Sequence, residues 1–265
     1  MKLLRSMMYK IFKKKIMSIK MKNEREIVSK TEDTIKSSIG FNQETWNKVE
    51  KMLEIERSYY QTNRRKIAEK IYSKYNGKNE YNLYKDEIVI AERKIDGFEK
   101  ECELNSSCQV GCSACCYQLI GINPIEKAVL RKAVYKLSVG ERERIKAKAE
   151  QIVDKLKEIN FCISHKTIEE GDYIKEQLLQ YLNLQLKCPL LSEGNKCMIY
   201  ETRPFACWSY RNYGRREDCA NNIPIHSCAF NDAGLPILDA FGTINYGKTD
   251  LNDYEILPVY LTEIL

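Results

Sequence analysis

The residues of this chain that are best suited to chemistry are its 11 cysteines, which far outnumber its two histidines. Seven of them fall into two groups, Cys108, Cys112, Cys115 and Cys116 in the first and Cys188, Cys197 and Cys207 in the second. Thiolates two or three residues apart in a loop can converge on one metal ion, as in zinc knuckles and iron–sulfur loops. Because the total is odd, the cysteines cannot all pair in disulfides within the chain. The pattern therefore predicts a metal or cluster site.

The first group lies in a loop whose composition differs from that of the whole chain. Residues 105–125 contain no charged side chain, although 30% of the chain is charged. Gly111 is expected to adopt a positive φ and to let the backbone approach a bound ion closely. Cys115 and Cys116 are adjacent, so a disulfide between them would be strained. One of the two is expected to bind metal, while the other serves a second metal or packs as a small apolar residue.

The second group belongs to two predicted local structures. Residues 188–200 are expected to form a small β-hairpin or a tight loop, with Cys188 and Cys197 on its two sides. Cys207 is expected in the first turn of a helix that Pro204 opens. The helix dipole should lower the pKa of its thiol there and favour the thiolate.

Two arginines flank this predicted helix. Arg203 precedes it, and Arg211 marks its expected end. They either offset the negative charge of metal-bound thiolates or form ordinary surface ion pairs, and the sequence leaves both interpretations open.

Two ordered motifs carry a resemblance to a known family. The string C-x3-C-x2-C-C from Cys108, followed by N-P-I-E from Asn123, resembles the opening of the CxxCxxCC family, the YkgJ-like zinc- or iron-chelating domain. The strings C-P-L-L from Cys188 and C-M-I-Y-E-x-R-P-x-x-C from Cys197 to Cys207 are similar to the second motif of that family. The resemblance implies that all seven cysteines form its metal centre.

The resemblance extends over about residues 102–211 and leaves three functions open. The first is a zinc- or iron-binding protein, in which the iron could form an iron–sulfur cluster. The second comes from flagellin lysine-N-methylases, relatives with a similar cluster: an iron–sulfur-dependent protein-lysine N-methyltransferase that uses S-adenosylmethionine. The third is a protein-interaction module whose fold is held together by the metal. No nucleotide-binding loop or nucleophile elbow is visible in the sequence.

Further sulfur and imidazole groups could add ligands to this set. The residues left open are Cys102, Cys162, His165, Cys219, His226 and Cys228. Cys219 and Cys228 would complete an eight-ligand set, and His165 follows Cys162 at a C-x2-H spacing. With so few histidines, a histidine-rich catalytic zinc site is not expected.

The elements that must position these residues are predicted to be mainly helical. Apolar residues recur at intervals of three and four, which predicts helices over 42–76, 82–103, 124–137, 139–159 and 169–184. Asn123 and Ser138 are expected to cap the third and fourth of these. The fold class is therefore a helical domain with a cysteine-rich metal-binding loop region and a small β-hairpin.

Four regions are predicted along the chain: a basic arm over 1–22, a helical segment over 23–104, the metal-binding domain over 105–230, and an irregular tail over 231–265. The arm has eight basic residues and no acidic one, so it accounts for more than the net charge of +6. It is either an amphipathic helix on an anionic membrane surface or an inert extension, including one upstream of the true start.

The rest of the chain is close to neutral, which argues against nucleic-acid binding. The first 22 residues contain no apolar run of the length that a secretory signal needs. Clustered cysteines without such a signal predict a cytoplasmic protein whose ligand is a metal ion or cluster, with a protein partner possible.

Overall fold

The computed structural model describes residues 41–109, 111–159, 161, 180–216, 219, 226–244 and 254–265. The basic arm, Cys162 and His165 lie outside these residues, as does most of the helix predicted over 169–184. The described part is mainly α with small antiparallel strand pairs, so the predicted fold class is confirmed.

Two long helices, α1 (Gln43–Ser73) and α2 (Glu80–Glu101), open the described chain and pack against each other. The Asn42 side chain caps α1 by accepting a hydrogen bond from the Thr45 N–H. The tyrosines of α1 serve packing as well, since Tyr60 is buried and its ring meets Phe98 of α2 edge to face. Both helices lie within two or three residues of their predicted bounds.

The next two helices, α3 (Pro124–Tyr135) and α4 (Val139–Glu158), begin at the predicted capping residues. Each has a complete capping box, with Asn123 and Glu126 at the start of α3 and Ser138 and Glu141 at the start of α4. The local sequence therefore fixes where both helices start.

The helix predicted from Pro204 to Arg211 is much shorter than expected. It forms a single turn, α5 (Phe205–Trp208), and the chain then enters strand β2 (Tyr210–Asn212). This strand pairs antiparallel with β3 (Ser227–Ala229), in the register Arg211 opposite Cys228. The pairing is between segments distant in sequence, so local periodicity could not reveal it.

The prediction of an irregular tail was wrong for its first half. Asn231–Ile244 forms a helix, α6, that packs mainly against α1. Gly234 and Pro236 suggested irregular structure, but Ala233, Ile237, Ala240 and Phe241 form an apolar face against α1 and α2. Tertiary packing thus outweighs the low helix propensity of glycine and proline.

The chain ends with strand β4 (Glu255–Ile256) and helix α7 (Leu257–Ile264). β4 pairs antiparallel with β1 (Gly121–Ile122), and the Leu257 N–H donates to the Ile120 carbonyl at 2.9 Å. The end of the chain therefore holds the segment that joins the first cysteine group to α3.

Two apolar cores meet at the cysteine region. The first combines α1, α2 and α6 with Trp208 and Phe230. The second combines α3, α4 and α7, and Cys188, Cys197 and Cys207 pack against it. None of the described helices has the length and hydropathy that would let it span a membrane.

Candidate metal centre

The last two cysteines of the first group, Cys115 and Cys116, lie in a single turn of 3-10 helix, Ala114–Tyr117. Gly111, before it, has a φ of 86°, so its predicted positive φ is confirmed. The Cys116 carbonyl accepts a hydrogen bond from the Cys188 N–H at 2.7 Å. This bond joins the backbones of the two cysteine groups directly.

The second group lies in a tight loop rather than a regular hairpin. Leu191 and Cys197 form one antiparallel bridge, and the Ser192 N–H donates to the Lys196 carbonyl at 2.9 Å to close the turn. The Lys148 ammonium of α4 donates to the Leu191 carbonyl at 3.1 Å. The loop is thus fixed to α4, and its two cysteines face the second core.

Five thiols from three separate segments are electrostatic neighbours, and we call them the five-thiol cluster: Cys115, Cys116, Cys188, Cys197 and Cys207. Charges on Cys188, Cys115 and Cys197 each raise the pKa of Cys207. Charges on Cys115, Cys188 and Cys207 likewise raise the pKa of Cys116. None of the seven predicted cysteines forms a disulfide. The fold therefore concentrates reduced thiols at one place.

Burial dominates the acidity of the second group in the metal-free protein. It raises the pKa of Cys188 to about 12 and the pKa of Cys197 above its usual value. Burial and neighbouring thiolates raise the pKa of Cys207 well above its usual value. The expected lowering of the Cys207 pKa is therefore wrong, because desolvation outweighs the dipole of a one-turn helix.

The two adjacent cysteines differ from each other. Hydrogen bonding from the Cys116 thiol lowers the pKa of Cys115, and the charge of Arg203 acts in the same direction. The same hydrogen bond, together with burial, raises the pKa of Cys116. Cys115 is thus the member of the pair that more readily becomes a thiolate.

Arg203, which is buried, and Arg211, which is half-buried, both form ion pairs with Glu92. Arg203 pairs with Glu92 of α2, donates to the Tyr200 carbonyl at 2.9 Å and lies 3.9 Å over the Tyr200 ring. Arg211 lies 3.5 Å from the same Glu92 carboxylate. The charge of Arg203 also lowers the pKa of Cys115, Cys197 and Cys207. Arg203 therefore both pairs with an acid and faces the thiols, whereas Arg211 belongs to the ion pair network.

The other two members of the predicted set have more exposed surroundings or local turn contacts. Cys108 is exposed, and its sulfur accepts a hydrogen bond from the Asn212 N–H of β2 at 3.3 Å. Cys112 is half-buried in a turn that its N–H closes on the Gln109 carbonyl at 2.9 Å. Electrostatic coupling thus links five of the seven predicted residues, and the ligand role of all seven stays a prediction.

The residues left open by the sequence have diverse surroundings. Cys102 is buried at the C-terminal end of α2. Cys228 is buried on β3. Burial raises its pKa, and the charges of Glu56, Glu99 and Cys108 add to this rise. His226 is buried, and its Nε2 accepts from the Asn42 N–H at 2.8 Å. Cys219 is half-buried near Tyr210.

In the described part of the chain, no three His, Cys, Asp or Glu side chains are arranged as ligands of one metal ion. The Cys115 and Cys116 sulfurs hydrogen-bond to each other instead. The donor set nevertheless fits a thiophilic metal, because several thiols lie beside a compensating arginine. Metal binding would replace S–H groups and their hydrogen bond with metal–sulfur bonds.

Sequence reasoning missed two acidic residues that shape this region. Glu92 joins Arg203 to Arg211, and Glu126 bonds to the N-terminus of the helix that carries Cys207. The capping role of Glu126 within α3 was readable from N-P-I-E, but its second contact was not. Only the lack of a capping side chain at Pro204 hinted at an acceptor from elsewhere.

Part of the chain matches a known family. The family model CxxCxxCC, described as "Putative zinc- or iron-chelating domain", matches residues 107–229. The match confirms the resemblance of the two motifs and continues beyond Cys207 to the end of β3. No curated protein and no solved structure matches the chain.

Proposed function

We propose that this is a metal-binding protein of the YkgJ-like type and that the five-thiol cluster holds zinc or iron, since residues 107–229 match the CxxCxxCC family model. Cys188, Cys197, Cys207 and one or both of Cys115 and Cys116 are the proposed ligands. Cys108 and Cys112, which the family resemblance would include, are proposed to lie outside the primary ligand set.

One observation carries this proposal. Thiols from three segments of the chain, a 3-10 turn, a tight loop and a one-turn helix, lie in one electrostatic neighbourhood. Those of the loop and the one-turn helix also pack against the second core. Burial raises the pKa values of Cys188, Cys197 and Cys207, so the metal-free arrangement holds these three thiols protonated. A soft cation that displaces the protons offsets this penalty.

The donors favour zinc or iron over magnesium or calcium, which prefer oxygen. Four thiolates around zinc would form a closed structural site, whereas iron or an iron–sulfur cluster would supply redox chemistry. Either centre would carry excess negative charge, and Arg203, fixed by Glu92 and the Tyr200 carbonyl, is placed to offset part of it. The methyltransferase and interaction-module hypotheses stay predictions, with S-adenosylmethionine relevant only to the former.

A comparison of single cysteine variants tests the ligand set. Cys207→Ala and Cys197→Ala are expected to lower the zinc plus iron bound per chain by at least about half, since each removes a ligand from a four-thiolate site. Their unfolding temperatures should fall as well, because metal binding is coupled to folding. Metal is measured by elemental analysis after anaerobic purification.

Two control variants sharpen this comparison. Cys102→Ala removes a buried thiol at the end of α2, so its metal content should match that of the wild type. Cys108→Ala should also retain the metal if the five-thiol cluster is the primary site. Unchanged metal content in both Cys207→Ala and Cys197→Ala would contradict the proposed ligand set.

A further inference from the structure

We propose that Glu126 is a positioning residue for the metal centre, because its one carboxylate joins the start of α3 to the helix that carries Cys207. The inference rests on the proposed function and deepens it. Glu126 does not touch the thiols; it acts through the backbone that places them.

One carboxylate oxygen of Glu126 accepts a hydrogen bond at the start of its own helix, α3. Oε2 accepts a hydrogen bond from the Asn123 N–H at 2.9 Å, while the Asn123 side chain accepts from the Glu126 N–H at 3.0 Å. This reciprocal capping box fixes the side chain of Glu126 at the first turn of α3. Glu126 is buried, with only 4% of its surface exposed.

The other oxygen serves a different helix. Oε1 accepts from the Phe205 N–H, the first amide of α5, at 2.5 Å. A helix N-terminus leaves its first N–H groups without partners, and the residue before the helix usually supplies a capping oxygen. Here that residue is Pro204, which has no side-chain acceptor. Glu126 therefore replaces the missing cap from a distance of 79 residues in sequence.

The two bonded amides belong to the two halves of the thiol cluster. Asn123 follows the turn of Cys115 and Cys116 through β1, and Phe205 precedes Cys207 by one intervening residue. The halves are also joined by the bond from the Cys188 N–H to the Cys116 carbonyl. Holding both amides at one carboxylate restricts the movement of Cys207 relative to the first group, before any metal binds.

The carboxylate is suited to this task because it has two equivalent acceptors. In Glu126→Gln, the amide keeps one oxygen, and its NH2 group would face one of the two N–H donors. The variant should keep one helix start and lose the other. Loss of such an outer contact commonly lowers metal affinity by about 10- to 100-fold. We expect a loss in that range.

The test is a titration of reduced, metal-free protein with Co²⁺, followed by its displacement with Zn²⁺. Sulfur-to-cobalt charge-transfer absorption reports both the affinity and the number of thiolates bound. Thermal unfolding of the same metal-free samples reports stability separately. For Glu126→Gln we expect weaker Co²⁺ binding and an altered charge-transfer band in protein that remains folded.

Two other glutamates provide matched controls. Glu141 forms the same kind of capping box at the exposed start of α4, so Glu141→Gln should bind Co²⁺ as the wild type does. Glu56 is buried and accepts from the Ala233 N–H of α6, so Glu56→Ala should lose stability without losing affinity. These controls separate positioning of Cys207 from a general loss of stability.

The outcomes distinguish failure of the proposed function from failure of the positioning role of Glu126. A wild type that binds neither ion overturns the proposed function. A wild type that binds Co²⁺ while folded Glu126→Gln binds it equally well overturns only the positioning role. If Glu126→Gln does not fold, Glu126→Asp replaces it, since it keeps the charge but withdraws the oxygens by one methylene. Failure of both to fold would also overturn the inference, which assigns Glu126 to positioning rather than to folding.

Discussion

At the scale of single residues, burial is the main cause of most of the raised pKa values in this region. It keeps Cys188 and Cys207 protonated in the metal-free protein, although both belong to the proposed ligand set. Binding of a cation must therefore release protons, and affinity should weaken as the pH falls. Arg203 opposes burial at several of these thiols, so it lowers the free energy needed to form thiolates.

Burial also raises the pKa values of two buried carboxyl groups. Burial, followed by the charge of Asp232, raises the pKa of Glu56 from its usual 4.5 to about 7. Burial raises the pKa of Glu126 to about 6, although its hydrogen bonds act against the rise. An acid with a raised pKa holds its proton more tightly in the folded state than in the unfolded chain. It therefore makes folding less favourable as the pH rises from about 4.5 towards about 7.

Replacement of Glu56 by glutamine tests this sign. Glutamine keeps an oxygen for the Ala233 N–H but carries no charge, so Glu56→Gln should stabilise the metal-free protein at pH 8 by roughly 1–3 kcal/mol. Between pH 5 and pH 7, the variant should lose less stability than the wild type. Urea unfolding of chelator-treated protein at several pH values measures both effects. Parallel pH profiles for the two proteins would show that Glu56 does not titrate in this range.

At the scale of elements, contact between α5 and α6 matters most for the site. The Phe205 ring lies against the backbone of Gly234 so closely that a Cβ there would be 2.4 Å from a ring carbon. The same ring meets Trp208 edge to face, with centroids 5.0 Å apart. Gly234 is therefore needed for close approach, and its position sets where the helix of Cys207 can lie.

A pair of glycine variants tests this contact. Gly234→Ala should destabilise the protein by about 1–3 kcal/mol and weaken metal binding, because the new methyl group displaces Phe205. Gly97→Ala is the matched control, since a Cβ at that position in α2 would meet no atom within 4 Å. It should stabilise the helix by about 0.5–1 kcal/mol. Unfolding and metal titration of both variants measure the difference, and equal behaviour would exclude the proposed close packing.

The elements also show what sequence could predict. Helices α3 and α4 were predictable because the capping residues Asn123 and Ser138 mark their starts in the local sequence. Helix α6 was not, because its stability comes from packing of residues such as Phe241 against α1 and α2. The strand at Arg211 depends on Cys228 across the sheet. The motif spacing predicted the metal site, and the ligand roles of its seven cysteines stay predictions.

At the scale of the whole molecule, the cysteine region lies where the two cores meet. Trp208 is buried in the first core, while its neighbour Cys207 packs against the second. Cys188 and Cys197 reach the second core from the loop that Lys148 holds to α4. A metal ion bound by these thiols would join the cores through α5, so its removal should lower the stability of the whole molecule. The predicted domain boundaries at residues 104 and 230 stay predictions.

The central claim is that the five-thiol cluster binds zinc or iron, and the most direct measurement is the metal content of the protein purified without oxygen. We expect at least one zinc or iron per chain. Zinc should give a colourless protein, whereas iron with acid-labile sulfide should give a broad absorption band near roughly 400 nm. Removal of the metal under reducing conditions should lower the unfolding temperature. A folded, monodisperse protein that contains neither metal and takes up neither would contradict the claim.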